Sequence, residues 1–248
     1  MNFDPITIIA IFIAFALGGI LKGATGAGAP IITIPVIAAF YDVRIAVIIM
    51  VVPNLLTNIG QLYQFRKTIL PPFFTVSFAL GGGVGAFLGT ILLVSLPIKI
   101  LTLSVAVIVI IYILLKLAVP SWKLVYEKAK KLVFIMGAGG GILQGSAGLS
   151  APISITFLNS MKLERNQFIP TISVYFGVMS IFQMPTLYYY NFLNTEIIIV
   201  SIISTVVLMC FMPLGSWIAQ SISKETFDKV TLILLGFIAL RIFYLNWF

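Results

Sequence analysis

Lys22 sits at the end of a long apolar run, on the lip of Gly23-Ala24-Thr25-Gly26-Ala27-Gly28. A cation at that depth marks a functional position, because a charge in hydrocarbon needs a partner. Two readings stand open: an anionic ligand meets the ammonium, or the long stem snorkels to a lipid headgroup. Asn54, Asn58 and Gln61 follow at i, i+4 and i+7, on one face of a helix. Ser180 and Gln183 mark a similar face later in the chain. Such a stripe either joins helices by hydrogen bonds or lines a substrate path. A second glycine-rich stretch, Gly145-Ser146-Ala147-Gly148-Leu149-Ser150, follows Gln144. Thr33, Ser154 and Thr156 add hydroxyls nearby.

Each stretch leads into a short segment with proline second, Pro30 and Pro152, where a missing N–H is harmless to a helix. Ser150 is placed as an N-cap, and Gly28 holds the matching position. Free backbone N–H groups and positive helix ends would then face both breaks and suit an anion. Close helix packing is the plainer role for glycine in a membrane. Gly81-Gly82-Gly83-Val84-Gly85 with Gly89 is assigned to it. No Lys-Ser/Thr follows either break and no strand precedes one, so neither is a nucleotide loop.

The acids argue by their positions. Asp4, Asp42, Glu127, Glu164, Glu196, Glu225 and Asp228 all fall at segment ends or in loops. A buried carboxylate relay and an acid-lined cation site are therefore disfavoured. There is no histidine, and Cys210 is the single cysteine. That removes an internal disulfide, a structural zinc site and a histidine base. An intramembrane enzyme would need a nucleophile–base pair or metal ligands, and the sequence offers neither. No cofactor is expected.

The elements that must position these residues are membrane helices. Of 248 residues, 60% are hydrophobic and 9% charged, with a mean hydropathy of +1.16. Soluble domains carry about 25% charged residues. Several segments approach the ~20 apolar residues that cross a bilayer, and they lack the alternation of barrel strands. The first is read as a retained helix rather than a cleaved signal, since Asp4 stands where a basic n-region would be.

The chain repeats itself. Residues 18–33 read GGILKGATGAGAPIIT and residues 140–155 read GGILQGSAGLSAPISI, identical at nine of sixteen positions at a shift of 122. The same shift sets Asn58 on Ser180 and Gln61 on Gln183. A shift of 126 sets Gly89 on Gly215 and Ser95 on Ser221. The first repeat is 1–118, the second 132–248, and 119–131 is a basic linker. Helices are expected at about 6–22, 29–40, 45–64, 71–95 and 98–118. They recur at about 132–144, 151–160, 167–190, 196–221 and 228–247. The fold class expected is all-α: two inverted-topology repeats, each a broken or re-entrant helix pair followed by three transmembrane helices. The crossing number per repeat is odd whether or not the short helices span, and an odd number inverts the second copy.

Charge orients the repeats. Arg66, Lys67, Lys116, Lys123, Lys128, Lys130, Lys131, Lys162, Arg165, Lys224 and Lys229 fall on one side; Arg44, Lys99 and Arg241 fall on the other. The rule that basic loops stay inside places the linker in the cytoplasm and both termini outside, in a plasma membrane. Tyr188, Tyr189, Tyr190 and Trp247 then fall in the outer aromatic belt, and Trp122 and Tyr126 in the inner one. The net charge of +8 follows from this bias, and no nucleic-acid partner is expected.

The motif G-x-x-x-G-x-x-G-x-G-A-P, residues 19–30, with its second copy at 141–152, resembles the TauE/SafE family of sulfite and organosulfonate exporters. The resemblance covers essentially the whole chain and includes the basic linker, Asn54 and Asn58. It implies transport of small sulfur-containing anions such as sulfite, thiosulfate or sulfonates. Ser150 in place of Gly28 and Gln144 in place of Lys22 make the two copies unequal. The expected function is a secondary transporter, in the export direction, working by alternating access. An anion channel or a non-transporting scaffold are the alternatives. Partners would be a small anion, the bilayer and a coupling ion, proton or sodium; the oligomeric state is open. The substrate site expected comprises Lys22, Gly23, Ala24, Thr25, Gly26, Gly28, Asn54, Asn58, Gln61, Gln144, Gly145, Ser146, Gly148, Ser150 and Gln183.

Overall fold

The computed structural model describes residues 5–118 and 123–221, together with Gly236. Nine α-helices occur among them: α1 (Pro5–Thr25), α2 (Ala29–Ala38), α3 (Val43–Phe65), α4 (Pro72–Ser95), α5 (Ile98–Ala118), α6 (Tyr126–Ala147), α7 (Ser154–Ser160), α8 (Arg165–Tyr189) and α9 (Thr195–Ser221). The helix expected over 228–247 lies outside the described residues, as do Trp122 and Trp247. The protein is an all-α polytopic membrane protein. Six helices, α1, α3, α4, α5, α8 and α9, are long and apolar enough to cross. Their exposed faces carry Phe12, Leu80, Phe87, Leu114, Ile199 and Val206, an outer surface suited to lipid.

Local chemistry sets the helix ends. Asp42 caps α3 by accepting from the Arg44 amide at 2.8 Å. Pro72 opens α4, where its fixed φ is already helical. α1 closes at Gly26 (φ 81°), whose amide donates to the Lys22 carbonyl at 2.7 Å. α6 closes in the same way at Gly148 (φ 71°), bonded to the Gln144 carbonyl at 2.8 Å. A left-handed residue after a helix favours glycine, which has no Cβ to clash.

Three expectations are corrected here. The helical hydrogen bonds run on through residues 23–25 and 145–147, so each break is shorter than its glycine-rich stretch. α6 begins six residues before the expected start at 132. Glu127, Lys128, Lys130 and Lys131 therefore ride on its first turns. The second short helix is only seven residues long, because a turn over 151–153 precedes it.

Glycines let helix backbones touch. A Cβ on Gly141 would lie 2.2 Å from the Gly82 carbonyl oxygen on α4, and one on Gly145 would lie 2.4 Å from that of Ala86. From α4, Gly85 and Gly89 face the carbonyls of Ala138 and Ile142 at 2.1 and 2.3 Å. Both series rise together, so α4 and α6 run parallel, with Gly81–Gly89 as a packing face. α1 meets α9 likewise. Gly19 faces Leu208, Gly23 faces Met212 and Gly215 faces Ile20, at 2.5, 1.9 and 2.0 Å from the carbonyl oxygens. The two interfaces correspond position by position at shifts of 122 and 126: Gly141 on Gly82 matches Gly19 on Leu208, and Gly145 on Ala86 matches Gly23 on Met212.

α3 and α8 form the centre, and they run antiparallel. Asn54 pairs with Ser180, Gln61 with Ser173, and the Leu70 amide with Thr171, so numbers fall on α8 as they rise past α3.

Candidate functional site

Lys22 is 1% exposed, on the last full turn of α1. Its Nζ donates to Asn58 Oδ1 at 2.9 Å. Asn58 Nδ2 donates onward to the Asn54 carbonyl at 2.6 Å and to Asn54 Oδ1 at 3.0 Å. Asn54 Nδ2 reaches Ser180 Oγ on α8 at 3.3 Å. Gln61 Nε2 donates to the Lys22 carbonyl and its Oε1 accepts from Ser173, both at 3.5 Å. The stripe expected on α3 thus faces protein, and Lys22, Asn54, Asn58 and Gln61 make one buried network.

The electrostatics of this network are one-sided. Every buried polar side chain described, apart from Lys22, is a neutral Thr, Ser, Asn or Gln. The ammonium has one amide oxygen and the Phe176 ring, whose centroid lies 5.9 Å away. A buried ammonium has three donors and a charge that neutral groups only partly offset. The chemistry this arrangement supports is capture of an anion. No group of His, Cys, Asp or Glu able to hold a metal occurs among the described residues.

The first break is pinned from the other half of the chain. Once the chain turns left-handed at Gly26, the Ala27 amide goes to Thr25 Oγ1 at 3.3 Å. The Gly23 carbonyl, which loses its helical partner, accepts from Arg165 Nη2 at 2.9 Å and Ser216 Oγ at 3.0 Å. Thr25 Oγ1 donates to the Leu21 carbonyl at 2.8 Å and also meets that of Ala27. Ala24 is half-buried, and Gly28 (φ 109°) is buried against Leu21 and Ile31.

The second break is built alike but filled differently. Ser146 Oγ donates to the Ile142 carbonyl at 2.7 Å. Gly148 packs on Ile34 and Val47, as Gly26 packs on Ile169, and Val47 is the repeat equivalent of Ile169. Ser150 does not cap α7. Its carbonyl accepts from the Ile153 and Ser154 amides at 3.1 and 2.9 Å, and its Oγ accepts from Ser154 Oγ at 2.9 Å. The residue before α7 is Ile153, which has no side-chain cap. The amides expected to be free at this helix start are therefore partly used by the turn. Gln144, on the last full turn before this break, and Gln183 on α8 are both buried, and neither bonds to the Lys22 network.

Sequence reasoning overlooked Ser173, Phe176, Arg165 and Ser216 as parts of the site. Ser173, Phe176, Ser180 and Gln183 fall at i, i+3, i+7 and i+10, so the α8 stripe was open to detection by period. Arg165 and Ser216 had no local signal, since only tertiary contact brings them to Gly23.

A helical membrane protein with a cation buried beside a broken helix has the features of a membrane transporter. The chain belongs to the family described as sulfite exporter TauE/SafE, which matches residues 11–242. Members of that family are transporters, not enzymes. Neither the curated proteins nor the solved structures give a significant match.

Proposed function

We propose that the protein is a secondary transporter that exports small sulfur-containing or organic anions, sulfite and sulfonates among them, by alternating access. The observation that carries this reading is Lys22: a buried cation held by one neutral amide, with no carboxylate among the buried side chains of the described residues. An anion would complete it. The site would be the two breaks and the stripe between them: Lys22 to Gly26 and Gly28, Asn54, Asn58 and Gln61 on one side, Gln144 to Gly148, Ser150 and Gln183 on the other. Moving residues would be those at the left-handed turns, Gly26 and Gly148, around which a broken helix can hinge. Proton or sodium would drive the cycle.

The architecture in this reading is a pair of inverted repeats, 1–118 and 132–248, joined by the linker 119–131. Antiparallel α3 and α8, parallel α1 and α9, and parallel α4 and α6 support it, because these directions together follow from a two-fold axis in the membrane plane. The linker faces the cytoplasm and both termini face outward.

The test is flux in proteoliposomes with sulfite, thiosulfate, sulfoacetate, taurine and carboxylates. Saturable uptake with counterflow is expected for at least one sulfur anion, and Lys22→Ala is expected to abolish it. Flux without counterflow would make the protein a channel, and no anion flux at all would end the reading. For topology, a Cys210→Ser background removes the exposed native thiol. A cysteine at Lys123 should then be labelled only from the cytoplasmic side.

A further inference from the structure

Three buried polar atoms among the described residues lack a hydrogen-bond partner: Gln144 Oε1, Gln183 Nε2 and Thr186 Oγ1. All belong to the second half, to α6 and to the outer turns of α8. Gln144 is 3% and Gln183 1% exposed. Gln183 and Thr186 lie at i and i+3, one above the other on α8. Buried polar groups are nearly always bonded, so unbonded ones mark a place for a ligand, and the repeat puts Gln183 at Gln144 as Gln61 sits at the Lys22 carbonyl.

The repeat explains why these groups are left open. Gln144 holds the position of Lys22, and Gln183 that of Gln61. In the first half Lys22 is bonded by Asn58, and Gln61 by Ser173 and the Lys22 carbonyl. In the second half Ser180 replaces Asn58, and its hydroxyl is engaged with Asn54 and the Phe176 carbonyl. The equivalent of Ser173 is Val51, which is buried and offers no hydrogen bond. The second half thus lacks both side chains that close the network in the first.

We propose that Gln144 and Gln183 form a second, uncharged station for the transported ion, and that this station selects a small oxyanion carrying one proton. The proposal rests on the anion-transport reading above. Gln144 Oε1 would accept from the ion's O–H, and Gln183 Nε2 and Thr186 Oγ1 would donate to its bare oxygens. The antiparallel register sets this station beyond the Asn54–Ser180 contact, roughly 10 Å from Lys22 along the helices. A dianion has no O–H for Gln144. A sulfonate likewise brings no O–H. A neutral acid leaves Lys22 unpaired. A hydrogen oxyanion, such as hydrogensulfite, satisfies both stations.

Calorimetric titration of the purified, full-length protein in detergent tests this, with two probes at mildly acidic pH. Hydrogensulfite is the protonated oxyanion, and methanesulfonate is a monoanion without an O–H. The wild type should bind hydrogensulfite about tenfold tighter, the worth of one charge-assisted hydrogen bond to a buried partner. Gln144→Met, which removes the O–H acceptor, should bring the two probes to equal affinity, whereas Gln183→Met, which removes a donor to the bare oxygens, should weaken both. Val51→Thr, which gives Gln183 a partner of its own, should also weaken both probes and leave the preference for hydrogensulfite in place. Lys22→Ala should weaken both probes alike. Equal binding of the two probes by the wild type, or a preference that survives in Gln144→Met, overturns the second station alone. A wild type that binds neither probe overturns the transport reading, and this station with it.

Discussion

The two halves of the molecule share a packing plan and differ in what they place at its centre. Gly23 and Gly145 meet backbone carbonyls of α9 and α4 at equivalent positions, and Gly26 and Gly148 turn left-handed in the same way. Yet the first break carries a cation bonded to one amide oxygen, and the second carries amides with open hydrogen-bonding atoms. Packing is thus held in common while the polar side chains at the centre differ. A close backbone contact tolerates no side chain on either copy, whereas a side chain pointing into a polar centre changes only what binds there.

The largest expected effect tests the shared part. Gly23→Ala and Gly145→Ala would each drive a Cβ into a carbonyl oxygen, at 1.9 and 2.4 Å. Each should cost about 3 kcal/mol or more, read as loss of the folded peak in detergent or a fall in melting temperature. A large loss from one and none from the other would break the equivalence. Next comes the divergent part. Lys22→Gln should reduce anion affinity about a hundredfold. Adding Gln144→Lys to it, which moves the cation to the other break, should restore most of that loss; binding assays of the single and double variants decide it.

Smaller effects probe the links between halves. Arg165→Gln removes one of two donors to the Gly23 carbonyl and leaves Ser216 in place. The expected cost is about 1 kcal/mol, seen as a modest drop in melting temperature. Ser173→Ala removes a bond of 3.5 Å, at the limit of useful geometry. Its cost should not exceed about 0.5 kcal/mol, and a larger value would mean that Gln61 depends on α8 more than its geometry implies.

Much of the site was legible because periodicity and duplication are linear signals. Asn54, Asn58 and Gln61 lie on one turn-spaced face, and a polar face in an apolar helix must turn toward protein. Helix ends were legible less well. Glycine and proline announce a break, but residues 23–25 and 145–147 stay helical, because a helix ends only where its hydrogen bonds run out. Ser150 has the side chain of a cap, yet the chain spends it on Ser154 in a turn.

From its sequence alone this protein is a bilayer-spanning helical protein with two copies of one motif, a cation at the first and none at the second. Composition and repetition are properties of the chain, and the bilayer leaves helices as the form for such apolar runs. Tertiary structure decided which polar atoms are satisfied. Arg165 reaches Gly23 from 142 residues away, and Ser173 answers Gln61 while Val51 holds the position that would answer Gln183. Those pairings depend on the register of α3 against α8, which packing across the two halves sets and no local pattern encodes.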